Sequence, residues 1–305
     1  MTVREALDVS KRSISFREAE IFLSHAAGLS RVQLHMHPDQ VLTLVQSQAF
    51  EQYLIKREAN EPVAYIIGSK EFYGRSFGCD QRALIPRPET EGLLDQALEL
   101  LPKRFHRQLK ATNKPCPIRI LELGTGCGNI AVTLSLELAA HHIPVEITAT
   151  DISTEALCLA EENWQSLREP AAQPPRWLVA DLFDEPVIQT RAPYDLVIAN
   201  LPYVPSAWRF DPLAQPDVIF YEPDISLFGG EDGLDLYRRF FMEVKNFTQP
   251  DGFILIEYNE NQTQMMLELI TTALPQAGVQ VQQDYAGLDR TVVIDLQPKL
   301  RYTWY

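Results

Sequence analysis

Two hydrophobic periods divide the chain. Up to about residue 60, apolar positions recur at helical spacing, as at Ala19, Phe22, Leu23, Ala26 and Ala27, which predicts amphipathic helices. A further helix is expected from Pro38 to Ala59, with Val41, Leu42, Leu44, Val45, Phe50, Tyr53 and Leu54 as its apolar set. No glycine-rich loop or catalytic cluster falls here, so residues 1–61 are expected to form a small helical domain that supports the rest or recognises a partner. Residues 62–88 mix β-branched and aromatic runs with Gly68, Gly74 and Gly78, a pattern that predicts a β-hairpin linker. It closes on Pro86-Arg87-Pro88, after which Glu89-Thr90-Glu91 opens a helical stretch. The run from Pro102 to Pro117 carries Lys103, Arg104, His106, Arg107, Lys110 and Lys114. It reads as a solvated basic loop, with a site for an anionic partner as the alternative.

From Ile118 onward short apolar runs alternate with amphipathic ones. IRILEL, VEITAT, RWLVA, YDLVIAN and FILIEY are expected strands, interleaved with expected helices NIAVTLSLELAA, TEALCLAEENW, DLYRRFFMEVKNF and QTQMMLELITTAL. This alternation predicts an α/β domain over 89–305 with a mostly parallel sheet covered on both faces. VQVQQDY and TVVIDL lie too close together for a helical crossover and are expected to pair as an antiparallel edge hairpin.

Composition narrows the function classes. A length of 305 residues allows two domains, and 46% hydrophobic with 22% charged residues describes a folded chain rather than a disordered one. The net charge of −14 disfavours bulk binding to a phosphate backbone. The first twenty residues carry charges throughout and lack a signal-peptide core. No run approaches the roughly 20 apolar residues of a membrane span. The four cysteines are scattered without a CxxC pair, and the six histidines lack metal-binding spacing. A cytoplasmic protein without metal is expected.

The chemistry gathers at the ends of the expected strands. The first runs into Glu122-Leu-Gly124-Thr-Gly126-Cys-Gly128-Asn129, where glycines let a ligand approach the backbone and the next helix offers its N-terminal amides. Asn129 stands where a GxGxxG fingerprint requires its last glycine, which argues against a nicotinamide or flavin site. The second strand ends at Asp151, where an acidic residue of a doubly wound sheet meets a ribose diol, and the third at Asp181. The fourth runs into Asn200-Leu201-Pro202-Tyr203. There an amide offers an acceptor and donors, and an aromatic face can stack on a planar NH₂ group. A turn with capping aspartates and a core tyrosine would explain the same residues structurally.

With these motifs the chain resembles the peptide chain release factor glutamine N5-methyltransferases of the HemK type over nearly its whole length. The similarity lies in EPVAYIIGSKEFYGRSFGCDQRALIPRPETEGLLD, LELGTGCGNIAVTL, DISTEALCLAEEN, YDLVIANLPYV and EPDISLFGGEDGLDLYRRFF. The resemblance implies a Rossmann-like class I S-adenosylmethionine-dependent methyltransferase with a seven-stranded sheet and an N-terminal substrate-recognition domain. The implied reaction methylates the glutamine of a Gly-Gly-Gln motif in a release factor. By the same resemblance, Glu122, Gly124, Thr125, Gly126, Gly128, Asp151, Ile152, Asp181, Leu182 and Asn200 bind S-adenosylmethionine. Asn200, Leu201, Pro202 and Tyr203 act on the substrate amide. A monomer that does not bind nucleic acid directly is expected.

Three features depart from the family pattern. Leu201 replaces a proline, giving Asn-Leu-Pro-Tyr, which is similar to the motif of rRNA adenine dimethyltransferases. Adenine N6 in RNA or DNA is therefore the alternative acceptor, although the linker and FGGEDGLDLYRR do not resemble those enzymes. Leu keeps the backbone carbonyl that accepts the amide but loses proline's fixed φ, so a modest rate cost is expected. The glutamate after the fifth strand is followed by Tyr-Asn-Glu-Asn rather than a glycine-containing stretch, and the tail KLRYTWY is unfamiliar. A cofactor-binding interaction protein without catalysis is the third reading.

Overall fold

The computed structural model describes residues 1–10, 14–211 and 221–297; the KLRYTWY tail lies outside them. Five helices open the chain: α1 (Val3–Ser10), α2 (Phe16–Ala27), α3 (Arg31–Met36), α4 (Leu44–Glu58) and α5 (Val63–Ile67). Val3, Phe22, Leu23, Leu34, Phe50 and Ile66 share their core, which thus reaches beyond residue 61. The helix expected from Pro38 begins only at Leu44. Thr43 caps that end, its side chain accepting from Gln46 N while Gln46 caps back. Val41 instead makes an isolated bridge to Thr2.

Strands β1 (Ser69–Phe72) and β2 (Arg75–Gly78) form an antiparallel hairpin. The α6 helix (Glu91–Thr112) then runs straight through Pro102 and ends at Asn113 in the left-handed conformation, φ 54°. This corrects the expected loop from Pro102. Leu100, Leu101, Arg104 and Phe105 are buried along the inner face of α6, and this packing outweighs the cost of an internal proline, about 3 kcal/mol. Arg104 is not a solvated cation: 3% exposed, it pairs with Asp195 at 2.6 Å and Asp251 at 2.9 Å.

The remainder is built on a seven-stranded sheet of β3 (Ile118–Leu123), β4 (Val145–Asp151), β5 (Arg176–Val179), β6 (Tyr194–Ala199), β7 (Thr248–Glu257), β8 (Gly278–Gln283) and β9 (Asp289–Asp295). Their order is β5-β4-β3-β6-β7-β9-β8. The first five are parallel, and β9 runs antiparallel between β7 and β8. Helices α7 (Asn129–Ala140) and α8 (Thr154–Leu167) connect β3 to β4 and β4 to β5, and the Asp235–Phe247 helix precedes β7. Apolar cores lie on both faces of the sheet, as its unbroken apolar strands demand. The strand order reverses between β3 and β6, so the loops at their carboxyl ends flank one crevice.

Candidate functional site

The crevice opens into a cavity of about 400 Å³, the size and placement of a small-molecule site. One wall is the loop after β3, where Gly124, Gly126 and Gly128 all have positive φ (72°, 54° and 80°). At Gly128 a Cβ would stand 2.9 Å from Ala160 Cβ, so only glycine lets the loop close onto α8. Glu122 is buried below it. One carboxyl oxygen accepts from Thr125 Oγ1 at 2.9 Å, and the other has no hydrogen bond of good geometry. Burial pushes the group up to about 8, with the Thr125 hydroxyl and the Ala131 backbone N–H limiting the rise. Asp151 Oδ2 accepts from Gly126 N and Oδ1 from Ser153 N, both at 2.9 Å. Burial raises this carboxyl above its usual range, and those backbone bonds hold it back.

Ile152 stands half-exposed at the rim, and Leu182 lines the cavity with φ 54°. Asp181 also lines it, but its Oδ2 is engaged by Arg239 at 2.9 Å, a partner the sequence pattern did not signal. A wall not foreseen is the linker segment Arg82–Arg87, including Ala83, Ile85 and Pro86. Asn163 on α8 secures this side, bonding Gly78 N, Gly78 O and Cys127 O at 2.6, 3.1 and 2.9 Å.

The opposite wall is Asn200, Leu201 and Pro202; Tyr203 follows them but is not among the residues that line the cavity. A Cβ on Gly124 would lie 3.3 Å from Leu201 Cδ2, so the two loops touch. Asn200 Nδ2 donates to Thr90 Oγ1 at 3.2 Å, which leaves Oδ1 as the acceptor of this amide. Tyr203 donates its hydroxyl to Glu257 Oε1 at 3.1 Å. Burial and that carboxylate keep the phenol well above its usual range. The FGGEDG loop grips the turn from outside. Gly233, φ 83°, sits where a Cβ would meet Tyr203 O at 2.0 Å, and Gln262 Nε2 donates to the same carbonyl at 2.8 Å.

Besides Arg239, four supporting residues escaped the sequence reading: Thr90 on Asn200, Tyr237, whose hydroxyl lies 3.3 Å from Leu201 N, Glu257 as a side chain under Tyr203, and Gln262. Only RPETE pointed towards the first. Of its residues, Glu89 is exposed and Glu91 accepts from Tyr73 N at 2.8 Å, while the intervening Thr90 reaches the site. Arg87 pairs with the buried Glu222 at 2.6 Å, tying the linker to the segment before the Asp224–Leu227 helix.

Comparison with known proteins agrees with this architecture. Residues 3–68 match the family model described as the PrmC N-terminal domain. A release factor glutamine methyltransferase of Bacillus anthracis is 34% identical over 279 residues, covering 91% of this chain and 92% of its own. One from Koribacter versatilis (strain Ellin345) is 30% identical over 300 residues, covering 96% and 98%. The fold is similar to the hMettl16 catalytic domain in complex with MAT2A 3'UTR hairpin 1, at 12% identity and a TM-score of 0.54 over 83% of this chain and 80% of that one. It is also similar to the human methyltransferase 10 domain containing protein, at 13% identity and a TM-score of 0.50 over 81% and 98%. The sheet is that of the class I S-adenosylmethionine-dependent methyltransferases. With about a third of positions identical across nine-tenths of both chains, the protein belongs to the release factor glutamine methyltransferase family.

Proposed function

We propose that this enzyme methylates the side-chain amide nitrogen, N5, of the glutamine in the Gly-Gly-Gln motif of a peptide chain release factor. S-adenosylmethionine, when bound, supplies a methyl group made electrophilic by a positively charged sulfur. The cavity fits such a group. Its glycine loop leaves backbone open to close approach, and the second carboxyl oxygen of Glu122, buried without a hydrogen bond of good geometry, offers an acceptor. Glu122, Gly124, Thr125, Gly126 and Gly128 would hold the amino-acid end, and Asp151 the ribose hydroxyls. Ile152 and Leu182 would flank the adenine, with Asp181 towards its amine.

An amide nitrogen is a poor nucleophile because its lone pair is delocalised, so positioning and charge stabilisation must supply the rate. Asn200 Oδ1 and the Leu201 carbonyl accept the two amide hydrogens. They aim the nitrogen and favour the positive charge that develops on it. Pro202 stiffens the turn and Tyr203 packs on the amide plane. The observation that carries this reading is the Asn200–Thr90 bond, which orients the amide at the carboxyl edge of β6 beside the glycine loop. The N-terminal helices, whose core extends to Ile66, serve to recognise the protein substrate, the hairpin that follows, to residue 88, links, and 89–305 catalyse. The enzyme works as a cytoplasmic monomer, and its net charge of −14 counts against direct nucleic-acid binding.

A labelled-methyl transfer assay tests this with three acceptors: a release factor, the same factor with its motif glutamine changed to alanine, and ribosomal RNA. Label on the intact factor alone is expected, and Asn200→Ala should abolish it while leaving cofactor affinity nearly unchanged. Label on RNA would move the assignment to the adenine class that Asn-Leu-Pro-Tyr also resembles. Cofactor binding without label on any acceptor would point to the interaction protein.

A further inference from the structure

Leucine at 201 brings into the site a backbone N–H that a proline there would lack. Leu201 is 4% exposed, so this donor cannot rely on water, and an unpaired buried N–H is costly. The structure supplies an acceptor: the hydroxyl of Tyr237, 3.3 Å from Leu201 N. Tyr237 is fully buried on the Asp235–Phe247 helix, its ring set edge-on to Phe240 at 6.2 Å. A phenol has one proton, and Tyr237 donates it to the backbone carbonyl of Glu257 at the end of β7. Its oxygen is therefore left as a pure acceptor towards Leu201.

We infer that Tyr237 is a positioning residue for methyl transfer, bridging Leu201 N–H to the Glu257 carbonyl and so fixing the peptide that presents the Leu201 carbonyl to the substrate. The inference rests on the proposed role of that carbonyl. Pro202 already drives Leu201 towards an extended backbone, restricting ψ. Gln262 and the FGGEDG loop hold the chain beyond it at the Tyr203 carbonyl. The remaining freedom is φ of Leu201, which a proline ring would lock. Tethering the N–H on the near side, with the chain clamped on the far side, restrains φ from both ends. Burial keeps the Tyr237 phenol well above its usual range, so the bridge stays protonated throughout neutral pH. This bond counteracts the φ freedom that the sequence associates with a rate cost at Leu201.

The test is a double-mutant cycle with Y237F and L201P. Tyr237→Phe should lower kcat about tenfold, the effect of about 1.4 kcal/mol from one buried hydrogen bond. The dissociation constant for S-adenosylmethionine should stay within about twofold, because no cofactor-facing group changes. In the L201P background the donor is gone, and the same substitution should cost less than about threefold. An equal loss in both backgrounds would show that Tyr237 acts through Glu257 or packing, and would overturn the inference. Hydrogen exchange at the Leu201 amide reads the bridge without methyl transfer and without L201P. It should quicken about tenfold in Y237F. Unchanged exchange refutes the bridge even if activity falls. A parent protein that transfers no methyl group while Y237F quickens exchange would sink the glutamine reading and leave the bridge standing.

Discussion

Replacing Glu257 by glutamine should remove a pH dependence of stability that the fold imposes. Glu257 is fully buried at the end of β7, with Oε1 accepting from Tyr203 and Oε2 without a hydrogen bond of good geometry. Desolvation pushes its carboxyl from about 4.5 up to about 7; the Thr90 and Tyr203 hydroxyls and the charge of Arg290 limit the rise. The sign follows from which state binds the proton. Below about pH 4.5 the folded and unfolded chains both carry it. Between 4.5 and 7 the unfolded chain has lost it while the folded one keeps it, so stability falls as pH rises. Above 7 both are ionised and the loss stops. A shift of this size corresponds to about 3 kcal/mol in all, of which roughly 2 kcal/mol falls between pH 5.5 and 8. Glu122, pushed up to about 8, adds a similar slope, but it is common to both proteins and cancels in the difference. The carboxamide introduced by E257Q could still accept from Tyr203, and its unpartnered Nε2 adds only a constant cost of about 1–3 kcal/mol. Urea unfolding of the parent and E257Q, followed by circular dichroism across pH 5.5–8, gives the difference directly. E257Q should gain roughly 2 kcal/mol relative to the parent over that range. Parallel curves would mean that Glu257 is ionised throughout, and the account of its burial would be wrong.

Two further outcomes follow from the same reasoning. Asp151→Ala leaves Gly126 N and Ser153 N without their acceptor and removes the proposed ribose contact. It should weaken S-adenosylmethionine binding about 10–100-fold by titration calorimetry, and an unaltered dissociation constant would refute that contact. Asp195→Ala strands Arg104, and also frees Gln108 Nε2 and Arg119 N, which now donate to Asp195 at 3.0 and 2.7 Å. It should cost about 3–5 kcal/mol in urea unfolding, and a loss under about 1 kcal/mol would show that Asp251 alone satisfies the guanidinium.

Much of the architecture is local and was legible in one dimension. Strand–helix alternation after Ile118 requires a covered parallel sheet, and the closeness of VQVQQDY to TVVIDL requires antiparallel pairing, seen in β8 and β9. That β9 lies between β7 and β8 is a matter of sheet order, which no local pattern encodes. The errors share a cause. A proline at 102 and the basic residues that follow it read as a loop because propensity and charge are counted residue by residue. The helix survives because Leu101, Arg104 and Phe105 gain more from burial than the proline costs. The helix expected from Pro38 starts late because Thr43 and Gln46 make a reciprocal cap that competes with its first turn.

At the site the division is sharper. The sequence by itself marked the strand ends, the glycine loop and Asn200–Tyr203, because a crevice at the carboxyl edge of a parallel sheet must be built from the residues that follow each strand. Only the tertiary structure decided what holds them: Thr90 from the linker end on Asn200, Glu257 from β7 under Tyr203, Tyr237 from a helix 36 residues on at the Leu201 amide, and Arg239 on Asp181. Each of those bonds joins residues far apart in the chain. The need for a buried donor or acceptor to find a partner is universal, but which partner answers it depends on how the layers pack.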